Sequence, residues 1–439
     1  MDKNSRAGDE RPKVVIIGAG FGGLNCARAL AGHSVDVSLL DRRNYHVFTP
    51  LLYQVATSLL NPSDIAVPVR TLFRHSPNVM FYETEVTGID FSAMRVHTVE
   101  DIDFEYDYLV IASGSTTHFY GNDPLAEQAY GLKDLTEALE LRNHIIRCFD
   151  HASRLQEQGE KDIALWLTFV AVGGGPTGVE YAGALGELVR LVMVKDYPEL
   201  PRDRIQIVLV EAGKQLLTGF SDDATDIART TLNRYDIEVI LNDPVKSYEH
   251  DTLSLASGKT LTTKTVIWAA GVKASPLAEK LEVEKTHPGR LVVDAFLRLQ
   301  GQDRVFAIGD IASFTQDEQE LPMLASPAIQ QGRYVARSIL RRVRWKKPKP
   351  FHYRDRGMMA VIGRNTGIAR MGRFVVNGFV GWLLWLGVHI FFLIGFRNRL
   401  SVLLYWAWNY VFYDRPARIV IPRPQRKPRH RKNARRKRQ

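Results

Sequence analysis

The sequence predicts a doubly wound α/β protein built from two strand–turn–helix units of like design, followed by a separate apolar C-terminal region. Three observations predict it. Residues 13–18 (KVVIIG) and 165–173 are apolar runs without polar alternation, the pattern of parallel strands covered on both faces. Each run ends in a glycine-rich turn and then a helical stretch of small and apolar residues. Strand and helix patterns alternate from residue 13 to about residue 340, as in open α/β sheets.

The elements follow in order. After the first turn, residues 24–31 read as a helix and 35–40 as a strand ending at Asp41. Residues 106–112 (YDYLVIA) are another buried strand, followed by Ser113–Gly114–Ser115. A helical pattern covers 135 to about 160. The second unit then comprises a strand at 165–173, a turn at 173–178 and a helix at 179–194. Strands are expected at 205–210, ending at Glu211, at 265–269, running into Gly271, and at 304–308, leading into Gly309–Asp310. Residues 328–340 look helical. Beyond residue 344 the character changes: KKPKP at 346–350 reads as a linker, and 374–396 is a stretch of 23 residues with no Lys, Arg, Asp or Glu. Arg397–Asn398–Arg399 and a second apolar stretch, 400–413, complete it.

At 439 residues the chain exceeds one ordinary core, and its 45% hydrophobic and 24% charged composition is globular. The net charge of +10 is misleading until it is located. Twelve of the 58 Lys and Arg lie in residues 415–439 with no acid, leaving 46 basic against 48 acidic side chains in the rest. A near-neutral body with one basic tail gives no indication of nucleic-acid binding. Only two cysteines occur, Cys26 and Cys148, and no CxxC. A disulfide framework, a metal site and a redox-active cysteine pair are therefore not expected. The N-terminus has no apolar h-region, so the body is expected to stay in the cytoplasm.

Gly18, Gly20 and Gly23, with Phe21 and Gly22 between them, fit GxGxxG directly after a strand. The first glycine permits the tight turn, the second lets backbone approach a pyrophosphate, and the third lets helix and strand pack closely. The pyrophosphate would rest on the free N–H groups of the helix start. Asp41, 18 residues past Gly23, stands where a carboxylate accepts hydrogen bonds from a ribose. The motif recurs as Gly173, Gly175 and Gly178, with Pro176 and Thr177 inside it. Glu211 takes the acid's place, 33 residues past Gly178, a spacing that a longer helix and the loop 197–204 would absorb. A carboxylate there repels a 2′-phosphate and favours NADH over NADPH. Two such sites in one chain suggest a nicotinamide donor and a flavin acceptor.

With both motifs placed, the sequence resembles the type II (non-proton-pumping) NADH:quinone oxidoreductases, within the two-dinucleotide-binding flavoproteins. The likeness runs from about Val14 to Val420. It is carried by NYHVFTPLLYQVATSLLNPSDIAVPVR (44–70), ASGSTTHFYG (112–121), VGGGPTGVEYAGALGEL (172–188), WAAGV (268–272), VFAIGD (305–310) and GWLLWLGVHIFFLIGFRNRL (381–400). It implies two Rossmann-like dinucleotide-binding domains, the NAD domain inserted in the FAD domain, plus C-terminal amphipathic membrane-binding helices. The boundaries expected are 11–120 and 276–345 for FAD, 121–275 for NADH, 346–422 for the membrane region and 423–439 for a basic disordered tail.

The resemblance also implies the site residues. The first motif, Asp41 and Arg42 would hold FAD, with Ala112 and Gly114 approaching through backbone, Asp310 at the ribityl chain, and Ala328 nearby. Thr49, Pro50 and Gln54 would lie near the isoalloxazine. The second motif, Glu211 and Gly271 would hold NADH. Glu180 would steady the dihydronicotinamide and help couple hydride arrival to quinone protonation, although a glutamate in a first helical turn is favourable through the helix dipole alone. The family's quinone motif A-Q-x-A-x-Q reads Ala325–Ser326–Pro327–Ala328–Ile329–Gln330–Gln331. Gln330 matches its second glutamine, and Ser326 replaces the first. Ser326, Gln330 and Gln331 are the quinone candidates, and a homodimer through the C-terminal region is implied.

Residues 374–396 could span a bilayer, at about 1.5 Å per residue. One span, however, would carry the basic tail across, against the positive-inside tendency. A hairpin would need the 14 residues 400–413 to cross as well, which is too few. The simpler expectation lays both in the interface on the cytoplasmic face, with Trp382, Trp385, Trp406 and Trp408 at headgroup depth and the tail on anionic lipid headgroups. Rival readings are a soluble NADH-dependent reductase of a small iron–sulfur protein, which needs no apolar hairpin, and a non-catalytic membrane-tethered NADH sensor. A sulfide:quinone oxidoreductase would need cysteines that Cys26 is poorly placed to supply.

Overall fold

The computed structural model describes residues 11–420 apart from 161, 288 and 416. The expected tail, 423–439, lies outside the described residues. A five-stranded parallel sheet runs in the order Val305–Ala307, Tyr108–Ile111, Lys13–Ile17, Asp36–Asp41, Val79–Glu83. Its central strand shows why the apolar run is unbroken. Val14 and Ile16 join one hydrophobic cluster, while Val15 and Ile17 join another on the opposite face.

The chain leaves this sheet after Tyr108–Ile111 and returns at Val305–Ala307. Between them lies a second parallel sheet, ordered Ile237–Ile240, Gln206–Val210, Thr168–Val172, Thr265–Trp268. Here too Phe169 and Ala171 face one core and Val170 and Val172 another. Two short antiparallel strands, Ser115–Thr117 and Val272–Ala274, carry the chain out and back. The NAD-type domain is thus inserted in the FAD-type domain. Helix Leu135–Glu157 starts at a capping box in which Asp134 and Glu137 satisfy each other's backbone N–H.

After helix Ala325–Val343, an antiparallel sheet of Met358–Val361, Gly367–Met371 and Phe374–Asn377 supports two helices, Gly378–Phe392 and Phe396–Phe412. The apolar stretch 374–396 is therefore not one segment. Its first four residues are a strand, and glycines with positive φ stand at the two breaks, Gly378 (65°) and Gly395 (93°). Arg399 lies inside the second helix and donates back to the carbonyls of Phe391 and Leu393, satisfying the end of the first. No described helix is long and apolar enough to cross a membrane.

The tryptophans expected together at headgroup depth are divided. Trp385 is buried and Trp406 half-buried, each giving its indole N–H to a side chain of the body. Trp382 is half-buried between Phe379 and Tyr410, and Trp408 is exposed. A buried indole needs an acceptor, and the body provides two. Past the hairpin the chain returns to the body. Arg415 is 1% exposed, and Arg418 pairs with Asp196.

Candidate functional site

A cavity of about 420 Å³ opens at the C-terminal edge of the first sheet, where strand order reverses between Lys13–Ile17 and Tyr108–Ile111. Gly18 makes the turn at φ 101°, and a Cβ on it would fall 2.3 Å from the Ala112 carbonyl oxygen. A Cβ on Gly23 would fall 1.9 Å from the Gly18 carbonyl oxygen, so helix Phe21–Leu30 can start here only on glycine. Above Gly20, at the helix N-cap, there is open space. Backbone N–H groups therefore face a cradle of the kind that holds a pyrophosphate.

Asp41 accepts from the backbone of Ala19 (2.6 Å) and Arg43 (2.9 Å). Burial raises its pKa, and these two bonds oppose the rise. Asp310 accepts from Ser115 Oγ at 2.5 Å and pairs with Lys133 Nζ at 3.3 Å. Gly18, Gly20, Phe21, Gly22, Asp41, Arg42, Thr49, Ala112, Gly114, Asp310 and Ala328 all line this cavity, whereas Pro50 and Gln54 do not. Lys133, Asp134 and Arg43 also line it, with an Arg43–Asp134 ion pair across the wall. These three were missed, although the capping pattern Asp134…Glu137 marks the helix start that presents Lys133 and Asp134, and Arg43 follows directly on Asp41 and Arg42.

The second sheet repeats the arrangement. Gly173 (φ 117°) would set a Cβ 2.7 Å from the carbonyl carbon of Ala269, and a Cβ on Gly178 would lie 1.9 Å from the Gly173 carbonyl oxygen. Space above Gly175, again the N-cap of its helix (Pro176–Leu188), is open. Pro176 and Thr177 begin the helix. Glu211 accepts from Gly174 N at 2.5 Å and Gly213 N at 2.6 Å, the place Asp41 holds in the first unit. Its unusual spacing is absorbed by a π-helical extension, Val189–Met193, a further turn Val194–Asp196, and the loop up to strand Gln206–Val210.

Glu180 does not face this second cradle. It lies in a separate cavity of about 70 Å³ between the body and the hairpin, with Tyr53, Gln54, Trp385, Trp406 and Arg415. Its Oε1 accepts from Trp385 Nε1 (3.0 Å) and Val361 N (3.1 Å). Burial pushes its pKa up to about 8 against those two bonds. Gln54 donates to Tyr53 Oη (3.0 Å) and accepts from Trp406 Nε1 (2.8 Å). Arg415 donates to the carbonyls of Thr57 (2.8 Å) and Ala184 (2.9 Å) and to Glu187 (2.8 Å). An aromatic partition of Phe21, Phe48, His389 and Trp385, in successive ring contact, runs from the first cavity to the second.

In the quinone motif, Ala325 and Ala328 line the first cavity. Gln331 is buried and accepts from Gly309 N at 2.7 Å, which fixes the turn carrying Asp310. Gln330 is engaged by the backbone of Arg354, donating to its carbonyl (2.9 Å) and accepting from its N–H (3.1 Å), and also reaches Ser326 (3.2 Å). Neither Ser326 nor Gln330 lines either cavity. Cys26 and Cys148 are buried, and desolvation pushes both thiols up to about 12, so neither is a thiolate at neutral pH.

Residues 12–332 match the family model described as pyridine nucleotide-disulphide oxidoreductase. The type II NADH:quinone oxidoreductase NdhA of Mycobacterium tuberculosis is 35% identical over 418 residues, covering 91% of this chain and 87% of that protein. A second one from that organism, Ndh, is 34% identical over the same length, covering 91% and 88%. The solved structure of NDH2 from Plasmodium falciparum with NADH shares the fold, with a TM-score of 0.83 at 20% identity, over 93% of this chain and all of that one. The chain thus belongs to the pyridine nucleotide-disulphide oxidoreductases and, within them, to the type II NADH:quinone oxidoreductases.

Proposed function

We propose that the chain oxidises NADH on a bound FAD and passes the electrons to a membrane quinone without pumping protons. The observation that carries this is the pair of equivalent cradles, each with an open helix N-terminus, a backbone-held acid and two glycines that no other residue could replace. FAD, when bound, supplies the hydride acceptor and the electron donor. The residues of the chain place and charge the partners. Gly18, Gly20 and Gly23 with Asp41 and Asp310 hold the flavin nucleotide. Gly173, Gly175, Pro176, Thr177 and Gly178 with Glu211 and Gly271 hold NADH.

The quinone approaches from the hairpin side, where Glu180 keeps its proton at neutral pH. Because Oε1 accepts two N–H groups, Oε2 carries that proton and is free to give it up. The role of Ser326, Gln330 and Gln331 is proposed as indirect: Gln331 sets the Asp310 turn and Gln330 sets the loop at Arg354.

The hairpin lies on the membrane surface, on the cytoplasmic side. Its outward face exposes Phe379, Leu383, Phe391, Phe396, Leu404, Val411 and Phe412, an apolar surface that an aqueous protein does not leave bare. Anionic headgroups meet the basic tail, and a second copy pairs through this region. The test is an absorption spectrum of the purified protein. NADH should bleach the flavin bands and a soluble quinone analogue should restore them. Bleaching that only a one-electron protein acceptor reverses would point to the reductase reading instead.

A further inference from the structure

Tyr120 occupies an unusual position in the second cradle. The strand Ser115–Thr117 leads out of the first domain into His118–Gly121, a loop that folds over the turn Ala269–Gly271. His118 N donates to the Gly271 carbonyl at 3.1 Å, and Trp268 Nε1 donates to the His118 carbonyl at 2.8 Å, so the loop is pinned to the turn. Tyr120 then adopts a left-handed backbone (φ 52°), a conformation that bulky residues avoid and that recurs at ligand clamps. Its side chain is 64% exposed, yet it does not point away. The ring lies 4.2 Å from that of His118, and the hydroxyl donates to the Ala270 carbonyl at 3.1 Å. A Cβ on Gly271 would fall 2.5 Å from that hydroxyl. The phenol therefore fills the space above Gly271.

That space lies on a route. A dinucleotide whose pyrophosphate rests above Gly175 must send its nicotinamide towards the first cavity. The turn Ala269–Gly271 packs directly against Gly173 at the crevice where strand order reverses. The Ala270 carbonyl, now taken by the phenol, is an acceptor that suits the N–H donors of a carboxamide. Gly271 presents bare backbone, against which a flat ring can lie.

We propose that Tyr120 is a gate on the nicotinamide half of the NADH site, closed by its hydroxyl on the Ala270 carbonyl and opened when the carboxamide of the nucleotide takes that acceptor. Rotation of one exposed side chain suffices to clear Gly271. The gate taxes binding, because only the open fraction accepts the nucleotide. It rests on the reading of the second cradle as the NADH site.

The test is direct binding of NAD⁺ and NADH to the FAD-loaded protein by calorimetry, for the unmodified chain and for Tyr120→Phe and Tyr120→Ala. Loss of one exposed hydrogen bond opens the gate, and affinity should rise about three- to ten-fold in both variants, with FAD content and thermal midpoint unchanged. In turnover the KM for NADH should fall while kcat and the KM for quinone stay put. Unchanged or weaker nucleotide binding in the variants overturns the gate. Absence of binding in the unmodified chain overturns the NADH-site reading itself, a separate outcome.

Discussion

Glu180→Gln isolates the effect of one buried proton. The unfolded chain ionises Glu180 near 4.5, whereas burial beside Trp385 and Val361 raises the folded value to about 8. An acid whose folded pKa is raised takes up a proton on folding. The stability this confers is whole below about pH 4.5 and is lost as pH rises to about 8. At about 1.4 kcal/mol per pH unit the whole window is worth about 5 kcal/mol, of which about 2 kcal/mol disappears between pH 6 and pH 8. Glutamine keeps an acceptor for Val361 and Trp385 and carries no titrating proton. Thermal midpoints of the FAD-loaded proteins, followed from pH 6 to pH 8, should therefore diverge. The unmodified chain should lose about 4 °C or more relative to the variant, for a cooperative unit of roughly 200 residues. Infrared difference spectra should show a carboxylic-acid carbonyl band in the unmodified protein that the variant lacks. Parallel midpoint profiles and no such band would mean that Glu180 is ionised at neutral pH, and the proton assigned to its Oε2 would not exist.

Gly23→Ala should abolish FAD incorporation, and Gly178→Ala should abolish NADH binding while FAD remains, because each Cβ collides with a carbonyl 1.9 Å away; flavin absorbance and calorimetry separate the two. Glu211→Gln should narrow the preference for NADH over NADPH, measured as the ratio of kcat/KM values, since the carboxylate charge opposes a 2′-phosphate. Gln330→Ala should slow flavin re-oxidation by quinone several-fold and leave reduction by NADH nearly unchanged in stopped flow, through the loosened Arg354 backbone. Replacing the exposed Phe396, Leu404 and Val411 together by Ser should release the protein from anionic vesicles in a sedimentation assay; removing 423–439 alone should weaken binding at low salt and make little difference at raised salt, because exposed charges are screened over about 8 Å at physiological ionic strength.

Local pattern made the two cradles legible. Strand, glycine turn, helix and terminal acid sit within one short segment each, and every requirement leaves a residue type behind. Even the odd spacing of Glu211 hid nothing, since insertion of a π-helical turn moves no strand. The cluster around Glu180 was not legible. Trp385 reaches it across 205 positions, Trp406 meets Gln54 across 352, and Arg415 meets Glu187 across 228. Such pairings have no period, and an apolar helix looks the same whether one tryptophan points to lipid or to a buried carboxyl. The stretch 374–396 misled for a similar reason: hydropathy is blind to the strand that Phe374–Asn377 adds to Gly367–Met371. Two charges of the basic C-terminus, on Arg415 and Arg418, belong to the body, where they face Glu187 and Asp196.

The same return of the chain at Arg415 has a mechanical consequence. A hairpin tied at one end is a leash, which peels one contact at a time and lets its load wander. This one is tied at both ends, by the sheet strand before Gly378 and by Arg415 after Phe412, so a pull on it loads both fastenings at once. Its height above the body becomes a fixed dimension, and a molecule dissolved in lipid would meet the small cavity at constant depth. Force from a stretched or thinned bilayer would arrive at Glu180, Ala184 and Glu187, all on the helix Pro176–Leu188 that starts at the second glycine turn.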